Sequence, residues 1–203
     1  MFTIIRDAGW PIWPLLFTSI LAVAFIIERT WALRRKRILP AQLTDEVLSV
    51  LHNSSKVTPE TFERLRHHSP LGQILSVGLQ ELVRGSDQAA ICMQETGKRV
   101  AHELERYLNA LGTIASVAPL MGLFGTVIGM IEIFASQDTS AGTPITLAHG
   151  ISVALYNTAF GLLIAIPALI CWRTFRRHID QLVFDLEIQA AYFLKQATQY
   201  KQK

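Results

Sequence analysis

The amino-acid sequence predicts an all-α membrane protein with three transmembrane helices. Two stretches without Asp, Glu, Lys or Arg, residues 108–131 and 145–172, each exceed the roughly 20 apolar residues that cross a bilayer. The composition agrees, because 50% hydrophobic and only 17% charged residues is too apolar for an ordinary soluble domain. Lipid is therefore part of the solvent in which this chain folds.

A third apolar run, residues 8–27, predicts the first transmembrane helix. Trp10 and Trp13 lie near its start, where an aromatic belt forms, and a basic cluster at residues 34–37 follows its end. A signal peptide is the alternative, but its basic residues precede the apolar run and a small-residue cleavage site ends it. Here the basic cluster follows the run and no such site ends it, so a transmembrane helix is favoured.

The basic residues also predict the orientation. They follow the first and third apolar runs, whereas the connection 135–144 contains no Lys or Arg. By the positive-inside rule, the N-terminus lies outside and the C-terminus lies in the cytoplasm. The predicted segments are an outer N-terminus 1–7, a first transmembrane helix 8–27, a cytoplasmic helical segment 28–107, a second transmembrane helix 108–134, an outer loop 135–144, a third transmembrane helix 145–172 and a cytoplasmic C-terminal helix 173–203.

The cytoplasmic segment 28–107 is predicted to be helical but not to fold alone. Apolar residues at helical spacing predict a helix that begins near Ser86 and runs straight into the second transmembrane helix. The third transmembrane helix also continues past Trp172, since apolar residues from Phe175 to Tyr192 mark one face. The second and third transmembrane helices therefore extend into a cytoplasmic helical bundle.

Each of these two helices carries one row of small residues. At about 100° per residue, each row falls within an arc of about 100° or less on a helical wheel. Small residues let helix backbones approach closely, so helix packing is the alternative to a pore-facing role. The first row is Ala115, Ala118, Gly122, Gly125, Thr126 and Gly129, and the second row is Gly150, Ala154, Thr158, Gly161, Ala165 and Ala168.

Thr126 and Thr158 lie near the middles of the two rows and are candidate proton-pathway or pore-lining residues. Each hydroxyl can donate and accept a hydrogen bond, although a threonine in a helix also bonds to its own backbone. Asn157, beside Thr158, either lines the same polar path or bonds between helices. The second helix has no ionisable side chain from Leu108 to Ile131. If protons cross the membrane here, a partner must supply the group that carries them.

No enzyme, metal or cofactor site is apparent in the sequence. His52, His67 and His68 lack metal-ligand spacing, and Cys92 and Cys171 belong to no CxxC or Cys/His pattern. The net charge of +3 comes from basic residues beside apolar runs, which favours membrane orientation over nucleic-acid binding. We therefore expect no catalytic residue, no cofactor and no nucleic-acid partner.

The stretches APLMGLFGTVIGM (118–130) and GISVALYNTAFGLLIAIPA (150–168) resemble the signature of the MotA/TolQ/ExbB proton-channel family. The three-helix plan with a large first cytoplasmic segment is similar to the ExbB and TolQ branch, since MotA proteins have four membrane helices. Within this branch, the chain resembles ExbB most. The chain departs from this pattern at Val153, where a glutamate is usual, and at Asn157, which replaces a small apolar residue.

The resemblance implies a homopentameric ring whose second and third helices line a pore. In the family, that pore holds the membrane helices of an ExbD- or TolR-like partner whose aspartate carries protons, and Thr126 and Thr158 match the threonines that face it. The implied function is a proton-channel or stator subunit of a bacterial inner-membrane motor that energises an envelope partner such as a TonB-like protein for nutrient import across the outer membrane. A TolQ-like role in envelope maintenance and a non-conducting membrane scaffold are the alternatives.

Overall fold

The computed structural model describes residues 10–52, 59–137 and 144–201, and the regular secondary structure within them is entirely helical. The predicted outer N-terminus 1–7 and the centre of the predicted outer loop lie outside these residues. Three helical stretches of the described chain are long and apolar enough to cross a membrane. The helices are α1 (Ile12–Ala32), α2 (Arg35–Ile38), α3 (Leu43–His52), α4 (Pro59–His68), α5 (Pro70–Glu81), α6 (Ser86–Glu105), α7 (Leu108–Gln137) and α8 (Pro144–Lys201).

Packing divides the chain into two compact units. The first unit combines the chain up to Arg29 with Tyr107–Thr174, and the second combines Thr30–Arg106 with Phe175–Lys203. The first unit therefore holds the apolar parts of α1, α7 and α8, while the second holds the polar helices. Both units include part of α8, which is a single helix of 58 residues.

In the first unit, α7 and α8 bury the alanines of the two small rows, and many of their large apolar side chains face outward. Ala118 and Ala168 are 1% and 0% exposed, whereas Leu120 and Leu163 on the same two helices are 63% and 67% exposed. A water-facing surface rarely carries many contiguous large apolar side chains. This distribution suits a surface covered by lipid or by neighbouring subunits.

The second unit has its own apolar core, and the C-terminal part of α8 is essential to it. Ile179, Leu182 and Phe193 of α8 are almost completely buried, together with apolar side chains of α3, α5 and α6. Polar contacts add to this packing: the Thr44 hydroxyl donates to Gln189 Oε1 at 3.0 Å. The helical segment after α1 therefore does not form this core without α8.

The joints between the polar helices have clear local causes. α5 begins at Pro70, because Ser69 Oγ accepts the Gly72 N–H at 3.0 Å and proline suits the first helical turn. α6 begins after Gly85, whose φ of 143° lies in a region that favours glycine. The sequence therefore specifies where this pair of helices starts.

The structure interrupts the predicted continuous helix at Arg106 and Tyr107. Arg106 has an extended ψ of 141°, and Tyr107 has a left-handed φ of 63°, which costs a non-glycine residue roughly 1–2 kcal/mol. The Tyr107 ring stacks on Phe25 with centroids 5.6 Å apart, and the Arg29 guanidinium lies 5.2 Å from its centroid. These contacts with α1 offset the cost, and the periodicity of α6 and α7 does not reveal them.

Candidate functional site

The candidate site is the contact between α7 and α8 in the first unit, where the two rows of small residues meet. A methyl group added to Gly122 would lie 2.7 Å from the Asn157 carbonyl oxygen and 3.0 Å from Thr158 Cα. A methyl group added to Gly161 would lie 2.6 Å from the Ala118 carbonyl oxygen. Neither position has room for a side chain, so the two backbones are in direct contact here.

The same close packing continues along both helices. A methyl group on Gly129 would lie 3.1 Å from Ala154 Cβ, and one on Gly150 would lie 2.7 Å from Ile133 Cδ1. Helix packing within one chain therefore accounts for much of both rows, and a pore-facing role for the same residues stays a prediction. The alanines of the two rows are all buried: Ala115, Ala118, Ala154, Ala165 and Ala168.

Thr126 lies beside this contact and is half-buried. Its hydroxyl donates to the Leu123 carbonyl oxygen at 2.6 Å, one turn earlier in α7. It also borders a shallow apolar depression with Val127 and Met130. Because its proton is engaged by the backbone, the Thr126 hydroxyl offers an outside group an acceptor.

Thr158 is placed differently, within the contact itself. Its Oγ1 is buried and has no hydrogen-bond partner within the described residues. A buried polar atom left in this state costs roughly 1–3 kcal/mol. A polar group that reaches this hydroxyl would recover that free energy, and the hydroxyl is able to donate to it.

Asn157 is 2% exposed and lies between the two helices. A methyl group on Gly125 would lie 2.8 Å from Asn157 Cβ and 3.0 Å from its Nδ2. The helical wheel puts Asn157 beside the row of α8, so its approximate direction was predictable. Its contact with Gly125 was not predictable, because a helical wheel does not show which helix packs opposite. Val153, the departure from the family pattern, is half-buried one turn earlier.

Sequence reasoning missed two contacts in this unit. Trp172 lies against Gly112, where an added methyl group would be 2.8 Å from the indole Nε1. Arg29 is only 5% exposed, and its Nε lies 2.6 Å from Glu28 Oε2. One signal was available, because Phe25 and Arg29 are four residues apart and share the α1 face that meets Tyr107.

The site offers hydroxyl, amide and backbone groups but no carboxylate, histidine, lysine or arginine side chain at mid-membrane. Between Leu108 and Ile131 the sequence has no ionisable side chain, and between 145 and 172 it has no Asp, Glu, Lys or Arg and one histidine, His149. The described residues contain no cluster of His, Cys, Asp and Glu that could hold a metal ion. The site is thus equipped to hydrogen-bond a charged group from outside the chain, not to carry a proton itself.

The model of the MotA/TolQ/ExbB proton channel family matches residues 66–188, which include both threonines and Asn157. The chain belongs to this family. It is 32% identical to the Vibrio cholerae biopolymer transport protein exbB1 over 81% of this chain and 74% of the relative. Membership confirms the resemblance that the two stretches predicted, and the relatives support the ExbB and TolQ branch.

Two further relatives of the family match shorter regions. The Tol-Pal system protein TolQ of Pseudomonas aeruginosa is 35% identical over 57% of this chain and 55% of its own length. The biopolymer transport protein ExbB of Salmonella typhimurium is 36% identical over 49% of this chain and 44% of its own length. The chain spans about half the length of these two relatives. With its three apolar helices, this family member is a multi-pass membrane protein.

Proposed function

We propose that this member of the MotA/TolQ/ExbB family is a proton-channel subunit of a stator-like motor in the bacterial inner membrane. The motor uses proton motive force to energise an envelope partner, in TonB-type import of nutrients across the outer membrane. The observation that carries this proposal is Thr158, a buried hydroxyl without a hydrogen-bond partner in the described chain. It lies on a membrane helix whose middle has no carboxylate, histidine, lysine or arginine side chain.

In this proposal several copies form a ring, a pentamer by family resemblance, with the N-terminus outside and the C-terminus in the cytoplasm. The second and third membrane helices surround the membrane helix of an ExbD- or TolR-like partner. An aspartate of that partner carries the proton. One charge crossing 100 mV yields about 2.3 kcal/mol, so a few protons supply useful work.

The hydrogen bonds of the two threonines suggest different roles toward that aspartate. The Thr158 hydroxyl has its proton available. Because the residue as a whole is only half-buried, a rotation about its χ1 angle turns the hydroxyl out of the contact, where it donates to the charged carboxylate. The Thr126 hydroxyl already donates to the Leu123 carbonyl, so it accepts a hydrogen bond from the protonated carboxyl group. Each protonation therefore shifts the preferred contact of the aspartate from one threonine to the other, which turns the partner against the ring.

Replacing Thr158 by valine tests the proposal. We expect Thr158→Val to abolish energised uptake in cells that contain the partner, while Thr158→Ser, which keeps the hydroxyl, retains it. Because the hydroxyl has no partner within the described chain, Thr158→Val should not lower stability or prevent assembly. Thermal unfolding and the size of the purified complex provide this control. Normal uptake by the valine variant would contradict the proposal.

A TolQ-like role in envelope maintenance is the second candidate, favoured by the 35% identity to TolQ. It needs the same hydroxyls and the same kind of partner but a different envelope component. Deletion of the chain separates the two roles: loss of outer-membrane integrity favours maintenance, and loss of import with an intact envelope favours the TonB-type role.

A non-conducting membrane scaffold is the third candidate, favoured by the packing of the two small rows against each other within one chain. In a scaffold, the glycines of α7 and α8 only bring the helices together, and no partner acid needs Thr158. The scaffold therefore predicts normal function for Thr158→Val, which separates it from a proton channel.

A further inference from the structure

A groove of about 460 Å³ runs along the second unit between α6 and the C-terminal part of α8. Its α6 side includes Ala90, Gly97 and Ala101, and its α8 side includes Ala190 and Ala191. A methyl group on Gly97 would only approach Ile74 Cδ1, at 4.0 Å. These small residues leave open space between larger lining side chains such as Met93, Lys98 and Leu186, and the groove is separate from the two threonines.

A ridge of large apolar side chains runs along another face of the same part of α8. Phe184, Ile188 and Tyr192 are 60%, 49% and 45% exposed. They recur every four residues and so form one line along the helix. On a helical wheel this ridge lies about 130° from the side of α8 that lines the groove. Ridge and groove therefore face different directions and do not meet within one chain.

Ridge and groove also lie at the same height along the helices. Arg176 of α8 pairs with Glu105 of α6 at 3.0 Å, which sets the register of the two antiparallel helices. Gly97 lies eight residues before Glu105, and Phe184 lies eight residues after Arg176, so these two residues are level with each other. By the same count, Ala90 is level with Ala191, the residue before Tyr192. Phe184 and Tyr192 thus lie level with small residues at the groove, and Ile188 lies level with Met93.

We propose that the ridge of one copy seats in the groove of the next copy, so that α6 and α8 of the second unit form the contact between neighbours. The inference rests on the proposed function, which requires several copies of the chain. The two patches differ, so the contact is head-to-tail. Because they lie at the same height, a rotation about an axis along the helices joins them without translation. Such contacts close into a ring when the rotation is a whole fraction of a full turn.

The charges at one end of this contact are complementary. Lys195 continues the line of the ridge on α8, and Asp87 begins α6 at the end of the groove; both side chains are exposed. Counting from the Glu105–Arg176 pair, Asp87 lies level with the residue before Lys195. Lys195 of one copy therefore meets Asp87 of the next.

Disulfide cross-linking of the full chain in membranes tests the contact. In a background with Cys92→Ser and Cys171→Ser, we expect Gly97→Cys with Phe184→Cys to give, on oxidation, a ladder of linked multimers that ends at the ring size. Each single variant should stay unlinked. A covalent dimer from Phe184→Cys alone would mean that ridge meets ridge, which overturns the proposal.

Arg99→Cys with Phe184→Cys is the matched control, because Arg99 is exposed on α6 but lies about 200° around the helix from Gly97. It should give no ladder. A second pair, Gln94→Cys with Ile188→Cys, keeps Phe184 in place and should give the same ladder as the first. Native mass spectrometry of the same samples reports the number of copies. Multimers without a ladder from either pair would overturn this contact but leave the proposed function standing, whereas monomers would contradict both.

Discussion

Glycine has two different meanings in this chain, and only its surroundings distinguish them. Gly122 and Gly161 stand where two backbones touch, so any side chain would collide with a carbonyl oxygen. Gly97 lies in a helix with open space beside it, so its hydrogen serves no packing purpose within the chain. The sequence pattern placed Gly122 and Gly161 in the two small rows. It does not give the distance between the backbones of α7 and α8, which is what makes glycine necessary at these positions.

This difference predicts opposite effects of the same substitution. Gly122→Ala should lower the free energy of unfolding by about 1–3 kcal/mol, because the new methyl group overpacks the contact with Asn157. Gly97→Ala should leave stability unchanged or raise it by up to about 1 kcal/mol, since alanine is the better helix former. Reversible unfolding of the monomer in bicelles measures both. Equal effects would contradict the direct backbone contact of α7 with α8.

The two threonines also show where sequence reasoning stops at this scale. The helical wheel makes Thr126 and Thr158 equivalent, each in one small row. In the structure, one hydroxyl donates to the preceding turn and the other is buried without a partner in the described chain. Which state a threonine adopts depends on its rotamer and on the neighbouring helix, and neither is encoded in spacing.

At the scale of elements, the length of an apolar run predicts the presence of a helix more reliably than it predicts the ends of that helix. The predicted first transmembrane helix is 8–27, whereas α1 is described from Ile12 to Ala32. The extension includes Glu28 and Arg29. Their mutual ion pair, together with the contact of Arg29 with Tyr107, makes charged residues compatible with a packed helix. α8 continues without a break from Pro144 to Lys201, as the apolar face after Trp172 predicts.

The interruption at Tyr107 gives a test at this scale. With φ at 63°, Tyr107→Gly should be more stable than Tyr107→Ala by about 1 kcal/mol, because alanine keeps the backbone strain while both lose the stacking on Phe25. A helix continuous through this position would give the opposite order, since glycine in a helix interior costs roughly 0.5–1 kcal/mol relative to alanine.

Tyr107→Phe is the matched control for this pair. It keeps the ring that stacks on Phe25 and lies beneath Arg29, so its stability should stay close to that of the natural chain. Thermal unfolding of the three variants in one detergent decides the order. If Tyr107→Ala unfolded at a higher temperature than Tyr107→Gly, α6 and α7 would form one uninterrupted helix in solution.

At the scale of the whole molecule, the sequence predicts the class of fold and the family but not the division into units. Three apolar runs and two family stretches are local signals, and each can be found without knowing the rest of the chain. The second unit depends on long-range contacts. One of them joins Thr44 to Gln189, two residues that are 145 positions apart in the sequence. No periodicity within either segment specifies that pairing.

The function belongs to this largest scale as well, because the chain lacks the acid that the proposed mechanism requires. The close contact of α7 with α8 offers the hydroxyls of Thr126 and Thr158 and the amide of Asn157. In the proposed machine, a partner with one membrane helix supplies this acid as an aspartate. The proposed head-to-tail contact would hold the copies that surround this partner.

Proton flux into liposomes tests this central claim most directly. Vesicles containing the chain with its single-helix partner should take up protons when a potential is applied, and vesicles containing the chain alone should not. The partner with its aspartate replaced by asparagine, and the chain with Thr158→Val, should both lose the flux. Equal flux from the chain alone, or no flux with the intact partner, would contradict the claim that this chain forms the wall of a proton path whose acid comes from another protein.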